Sequence, residues 1–145
     1  MPDRPAPVTV LDTHVWIWMV EGDRSALSAA AIEAIEDAAK GGAVRVSAIS
    51  VWEVAMLEAR GRISLSRPVH DWVHAALRAP GVRFVSLSPE IAIESTRLPG
   101  TPHGDPADRI LMATARHLGG RLATCDRDIL DYSAGGPLEV LDCVP

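Results

Sequence analysis

Residues 8–20 read VTVLDTHVWIWMV, and the fold follows from how this run divides. VTVL (8–11) is short, apolar and rich in β-branched residues, the mark of a buried strand. Asp12 and Thr13 break the run as a turn or helix cap, and HVWIWMV (14–20) continues as a short apolar helix. The same alternation recurs outward along the chain. SAAAIEAIEDAAK (28–40) has helix-period apolar positions and stops at Gly41-Gly42, and VRVS (44–47) is the next strand. Helices are expected at 50–60 and 69–78, a strand at 83–87, and a further helical segment at 89–98. After a loop at 99–104, a helix over 106–118 closes at Gly119-Gly120. RLATC (121–125), a short helix and LEVL (138–141) complete the chain.

Strands that alternate with helices, and that read as continuous apolar runs, belong to a parallel sheet buried on both faces. The expected fold class is therefore α/β: a single domain over residues 8–145, with a central, mainly parallel sheet flanked by helices on both faces. Residues 1–7, MPDRPAP, are proline-rich and polar and are expected to form a flexible amino-terminal arm.

A chain of 145 residues is about one domain long and buries enough surface to need no disulfide or structural metal. Its composition, 48% hydrophobic and 23% charged, is that of a globular protein. No apolar run approaches the roughly 20 residues of a membrane span, and no basic segment precedes a signal-like core, so a cytoplasmic location is expected. The two cysteines, Cys125 and Cys143, have no zinc-like spacing and read as free thiols. A net charge of −5 argues against a broad basic surface for nucleic acid. It leaves room for a nuclease whose charge is supplied locally by a metal, with thirteen arginines against the single lysine, Lys40.

In an open parallel sheet, ligands bind at the carboxyl ends of the strands, where the next helices begin. Asp12 and Asp126 stand there, at the exits of VTVL and RLATC. Glu53 follows Ser50 by three residues near a helix start, and Asp105 and Asp108 open the helix in HGDPADRILMATA (103–115). Each acid alone is explained by capping: Ser50-x-x-Glu53 has the pattern of a capping box, and Asp12, Asp105 and Asp126 are good N-caps. Together they form a set of carboxylates at one sheet edge, which is hard to keep ionised without a cation. Hard divalent ions such as Mg²⁺ or Mn²⁺ take oxygen ligands of this kind. Thr13 and Thr124 flank the acids and suit hydrogen bonds to a carboxylate. His14 and His103 lie near them and could touch substrate, but a lone histidine beside a cap reads more simply as structural or solvent-exposed. Trp16, Trp18, Trp52 and Trp72 read as core or subunit-interface residues rather than base-stacking platforms.

Four stretches in order, LDTHVWIW (11–18), VSAISVWEVAMLEARGRISL (46–65), LPGTPHGDPADRILMATA (98–115) and LATCDRDIL (122–130), resemble the PIN-domain ribonucleases, in particular the VapC-type toxins. The resemblance covers nearly the whole chain. It implies a metal-dependent endoribonuclease acting as the toxin of a type II toxin–antitoxin pair. It implies metal-binding, catalytic acids at Asp12, Glu53, Asp108 and Asp126, support from Asp105, and Asp128 as a weaker substitute for Asp126. It also implies Mg²⁺ or Mn²⁺ as cofactor, an RNA substrate, a VapB-like antitoxin and a homodimer. Arg109 and Arg127 are the arginines expected to position the RNA backbone.

Three other readings compete. A phosphorelay receiver domain also carries acids at the carboxyl edge of a parallel sheet, but it needs a lysine near its last strands and none follows Lys40. A non-catalytic PIN-like binding protein and a nuclease directed at DNA both remain open from the sequence.

Overall fold

β1 (Thr9–Leu11) has only three residues, all buried. It lies at the centre of a five-stranded sheet, between β2 (Val44–Ser47) and β4 (Arg121–Thr124). β3 (Val82–Val85) pairs with the outer side of β2, and β5 (Val140–Asp142) with the outer side of β4. All four pairings are parallel, giving the order β3-β2-β1-β4-β5, so the mainly parallel sheet expected from the sequence is entirely parallel. The computed structural model describes residues 5–100, 102 and 104–145. Residues 1–4 of the expected arm, and Thr101 and His103 of the 99–104 loop, lie outside the described residues. At the described end of the arm, Ala6 packs against the main core.

Among the described residues, seven helices connect the strands. α1 (Thr13–Glu21) and α2 (Ala29–Lys40), with a 3-10 turn at Arg24–Ala26 between them, join β1 to β2. α3 (Ala48–Ala59) and α4 (Val69–Leu77) lead to β3, and α5 (Pro89–Ser95) and α6 (Pro106–His117) lead to β4. α7 (Arg127–Ser133) leads to β5. Because side chains alternate along a strand, Val10 and Leu122 face one side of the sheet and Leu11, Val44, Val46 and Ala123 the other. Helices α5, α6 and α7 supply Ile91, Leu111, Met112 and Ile129 to the first core. Helices α1, α2, α3 and α4 supply Trp16, Ile35, Val54 and Trp72 to the second. Within it Trp16 and Trp72, both fully buried, meet edge to face with ring centroids 5.0 Å apart. Such a contact adds about 0.5–1.5 kcal/mol beyond simple burial.

Two joints are tight enough to demand glycine. Gly81, just before β3, has φ +81°, and a Cβ there would sit 1.8 Å from the carbonyl oxygen of Ala39 at the end of α2. Gly120, at the entrance to β4, would place a Cβ 2.4 Å from the Val8 carbonyl. Both let a helix end lie directly against the sheet.

The helix expected at 50–60 begins two residues earlier. Ser47, the last residue of β2, is itself the N-cap of α3, accepting from the Ile49 N–H at 3.1 Å, so the strand passes into the helix without a loop. Ser50 and Glu53 therefore do not form a capping box. Ser50 is fully buried inside α3, and Glu53 stands one turn beyond the helix start.

The sheet order reverses at β1. The chain moves outward from β1 through β2 to β3, then crosses back to place β4 on the other side of β1. Such a reversal opens a crevice beyond the carboxyl ends of the two central strands, the usual ligand position in open α/β sheets. Asp12 follows β1 and Asp126 lies two residues after β4, both at that crevice.

Candidate active site

Asp12, Asp105 and Asp126 are held by backbone or hydroxyl donors. Asp12 caps α1: its Oδ1 accepts from the Thr13 N–H at 2.7 Å and its Oδ2 from the Thr124 hydroxyl at 2.6 Å. Thr124 is fully buried at the end of β4, and its hydroxyl oxygen also accepts from the Asp126 N–H at 3.0 Å. One threonine thereby fixes both the Asp12 carboxylate and the backbone of the next acid. Asp126 caps α7 through its Oδ1, which accepts from the N–H groups of Asp128 and Ile129 at 2.9 and 3.2 Å. Asp105 caps α6, accepting from Ala107 and Asp108 at 2.9 and 3.3 Å.

Glu53 is oriented differently, from across the fold. The buried Thr13 hydroxyl donates to Glu53 Oε1 at 2.5 Å and lies 2.9 Å from the Ser50 hydroxyl. A hydroxyl carries one proton, so with Thr13 donating to the carboxylate, Ser50 must donate to Thr13. This Ser50–Thr13–Glu53 chain ties α3 to the start of α1.

The residues converge on one cleft of about 310 Å³, lined by Asp12, Glu53, Asp105, Asp108 and Asp126, with Thr13, His14, Val15, Trp18 and Cys125 completing the wall. All four acids expected to act together are brought together, with Asp105 beside them. Their proximity shows in their proton affinities. Burial, followed by the charges of Asp12, Asp105, Asp126 and Glu53, pushes the Asp108 carboxyl from 3.8 up to about 8. Burial also raises Asp12, against the opposing hydrogen bonds from Thr124 and Thr13. Glu53 is raised by burial and, further, by Asp12 and Asp105, against the Thr13 hydrogen bond. At neutral pH the metal-free cleft therefore keeps a proton on Asp108, because a further negative charge is poorly tolerated.

The carboxylate oxygens gathered at the sheet edge make a donor set suited to a hard divalent cation. Among the described residues, no three of the acidic, histidine or cysteine side chains already stand as a closed metal site. The carboxylates instead line an open cleft.

Several residues fall elsewhere than the sequence suggested. The guanidinium of Arg109 is turned to the carbonyl oxygens of Ser95 and Pro102, both at 3.4 Å, and Arg109 is not on the cleft wall. Arg127, exposed at the first position of α7, is not on the wall either. Asp128 faces a separate, open depression of about 910 Å³ with Asp131 and Tyr132, rather than the acid cleft. His14, Trp18 and Cys125 do line the cleft. The sequence signal for the first two was their i, i+4 spacing in THVWIW, which puts both on the face of α1 that begins at Asp12. Trp16 and Trp72 are core residues as expected, whereas Trp52 is 57% exposed on α3.

The PIN domain model matches residues 9–135. Ribonuclease VapC22 of Mycobacterium tuberculosis is 40% identical over 132 residues, which cover 90% of this chain and 96% of that protein. Among solved structures, VapBC2 from Rickettsia felis, bound to a DNA fragment from its promoter, superimposes with a TM-score of 0.66 at 13% identity, covering 93% of this chain and 98% of that one. FitAcB from Neisseria gonorrhoeae gives 0.59 at 18% identity, covering 92% and 96%. A toxin–antitoxin complex from Klebsiella pneumoniae gives 0.58 at 20% identity, covering 92% and 95%. At these identities the structural likeness concerns the fold.

Proposed function

The chain belongs to the PIN-domain family, and on that premise we propose that it is a metal-dependent endoribonuclease, the VapC-type toxin of a type II toxin–antitoxin pair. The observation that carries the reading is the convergence of five carboxylates on one cleft at the sheet's switch point, close enough for their charges to add to burial in raising the Asp108 carboxyl. Caps need no such crowding; a cation site does. The 40% identity to a protein named as a ribonuclease supports RNA as the substrate.

In this reading Asp12, Glu53, Asp108 and Asp126 would hold Mg²⁺ or Mn²⁺. When bound, the ion lowers the pKa of a water and offsets the charge that develops on the phosphate. The chain's own residues fix where that happens. Thr124 holds the Asp12 carboxylate and, through the Asp126 N–H, the start of α7. Thr13, backed by Ser50, holds Glu53. Asp105 supports the cluster by starting α6 so that Asp108 falls in its first turn. Arg109 ties α6 to the Ser95 and Pro102 carbonyls, and Arg127, exposed and next in sequence to Asp126, would contact the RNA backbone in this reading.

The partner is a VapB-like antitoxin; the similar structures from Rickettsia, Neisseria and Klebsiella include toxin–antitoxin complexes. A homodimer would give the exposed side chains of Trp52, Phe84 and Ile93 an apolar surface to bury against. In this reading the protein acts on cellular RNA in the cytoplasm. Among the described residues no helix is long and apolar enough to cross a membrane.

The test is cleavage of a pool of structured cellular RNAs, and of matched DNA, by the antitoxin-free protein with Mg²⁺, Mn²⁺ or EDTA, beside Asp12→Asn. Asparagine caps a helix as well as aspartate, so the variant keeps its fold. RNA cleavage that needs metal and disappears in the variant supports the reading. Preferential cleavage of DNA makes it a deoxyribonuclease, and no cleavage by the folded protein leaves a PIN-like binding module.

A further inference from the structure

The cleft that gathers the carboxylates has a second, chemically different wall. His14 and Trp18, one turn apart on α1, place their rings 5.6 Å between centroids and tilted by 46°. Both line the cleft with the acids. His14 is exposed at the rim and near enough to Asp12 and Glu53 for its charge to bear on both. Trp18 is half-buried, packed against the core, and also lines a small pocket with Leu27 and Ile32. The tryptophan is therefore anchored on one side and open to the cleft on another. The helix that carries the two rings is capped by Asp12 itself, so their positions are tied to the acid cluster. Trp18 lies six residues from Asp12, about 9 Å along the helix axis.

We propose that the His14–Trp18 ring pair is the platform on which a nucleobase beside the cut phosphate stacks, so that these two residues position the RNA strand across the acid cleft. The inference rests on the ribonuclease reading and adds to it the group that meets the base. The argument is one of chemistry on the wall. Among the described residues lining the cleft there is no arginine or lysine to grip the phosphates. Thr13 and Asp12 are committed to hydrogen bonds within the site. What remains to hold a nucleotide is the aromatic face, and every base has a π-face to offer it. Trp16 and Trp72 are fully buried and Trp52 is not on the cleft wall, so Trp18 is the tryptophan available there. An i, i+4 aromatic contact on its own supports a helix only weakly, as for other such side-chain pairs. That accounts for the pairing but not for its place on the rim of the acid cleft.

A platform of this kind grips any base and so sets where the strand lies rather than which sequence is cut. It predicts a specific coupling between the ring and the base. Take the shortest RNA oligonucleotide that the wild type cuts, and replace the nucleotides on either side of the cut, in turn, by abasic ribose. On intact RNA, Trp18→Leu should lower kcat/KM by about 10- to 100-fold, the range expected for loss of one stacked base, and Trp18→Phe should retain most of it. On RNA abasic at the platform position, the wild type should fall to the same level and Trp18→Leu should lose nothing more. His14→Ala, at the exposed rim, runs the same cycle if the leucine variant folds poorly. A loss that is equal on intact and abasic RNA at every position, or no loss at all, overturns the platform while leaving the nuclease intact. If the wild type cuts no RNA with either metal, the ribonuclease reading fails and the platform with it.

Discussion

Replacing Asp108 with asparagine should stabilise the metal-free protein at pH 8 while abolishing RNA cleavage. The carboxyl is raised from 3.8 to about 8 by burial and by the four neighbouring carboxylates. A group whose folded pKa lies above its unfolded value binds more protons in the native state, so stability falls as pH rises between the two values and levels off above about 8. Taken at face value, a rise from 3.8 to about 8 corresponds to about 5–6 kcal/mol. Solvent reaches this carboxyl and screens it, which leaves about 2 kcal/mol. Asparagine is nearly isosteric and never ionises, so the variant lacks this loss. For a chain of this length, that difference raises the melting temperature by about 4–8 °C at pH 8 and fades towards pH 4. Thermal unfolding in EDTA across pH 4–9 reads it directly. Asp12 and Glu53 keep their own pH dependence in the variant, so its profile should flatten rather than become level. Mg²⁺ or Mn²⁺ should then stabilise the wild type at pH 8 and narrow the gap. Parallel melting profiles for the two proteins, or a wild type that gains stability from pH 5 to 8, would refute the crowding on which the site is built.

Thr13→Val removes the donor to Glu53 and strands the buried Ser50 hydroxyl, at a cost of about 1–3 kcal/mol in urea unfolding. RNA cleavage should fall as well, with Glu53 no longer oriented, and an unchanged rate would show that the Thr13 bond is not needed there. Asp126→Ala should lose about 1 kcal/mol of stability with the α7 cap, whereas Asp126→Asn keeps the cap. Both should lose cleavage, and activity in the asparagine variant would remove Asp126 from the metal set. Gly81→Ala forces a Cβ into the Ala39 carbonyl at a positive φ and should cost at least about 2 kcal/mol in thermal melts. A neutral outcome would mean that the α2–β3 joint yields.

The alternation of apolar strand and helix was legible because the strands of a doubly covered parallel sheet are continuous apolar runs, and VTVL, VRVS and RLATC are such runs. The acids at strand ends were legible for a related reason: the residue that leaves such a strand is also the cap of the next helix. Asp12 and Asp126 therefore carry both signals at once. What the sequence misplaced were side chains whose role depends on contacts far along the chain. Ser50 looked like a cap three residues before a glutamate, but β2 runs straight into α3, and its hydroxyl serves Thr13, 37 residues away. Arg109 sits one residue after Asp108, yet its guanidinium reaches back to Ser95 and Pro102. Trp18 shares an apolar helix with Trp16, and hydropathy does not distinguish the ring that fills the core from the one at the cleft. Only the packing of α1 against the sheet, with position 16 inward and positions 14 and 18 toward the acids, separates them.

The central claim is that the carboxylate cleft is a divalent cation site, and calorimetric titration of Mn²⁺ into the antitoxin-free protein at pH 7 tests it most directly. With Asp108 near 8 in the metal-free protein, most molecules carry its proton at pH 7, and an ion held by that carboxylate must expel it. Titrations in buffers of different ionisation heat should show protons released as the site fills, with the release reduced in Asp108→Asn and binding weakened in Asp12→Asn. Absence of Mn²⁺ binding, or binding that releases no proton and persists in both variants, would contradict the account.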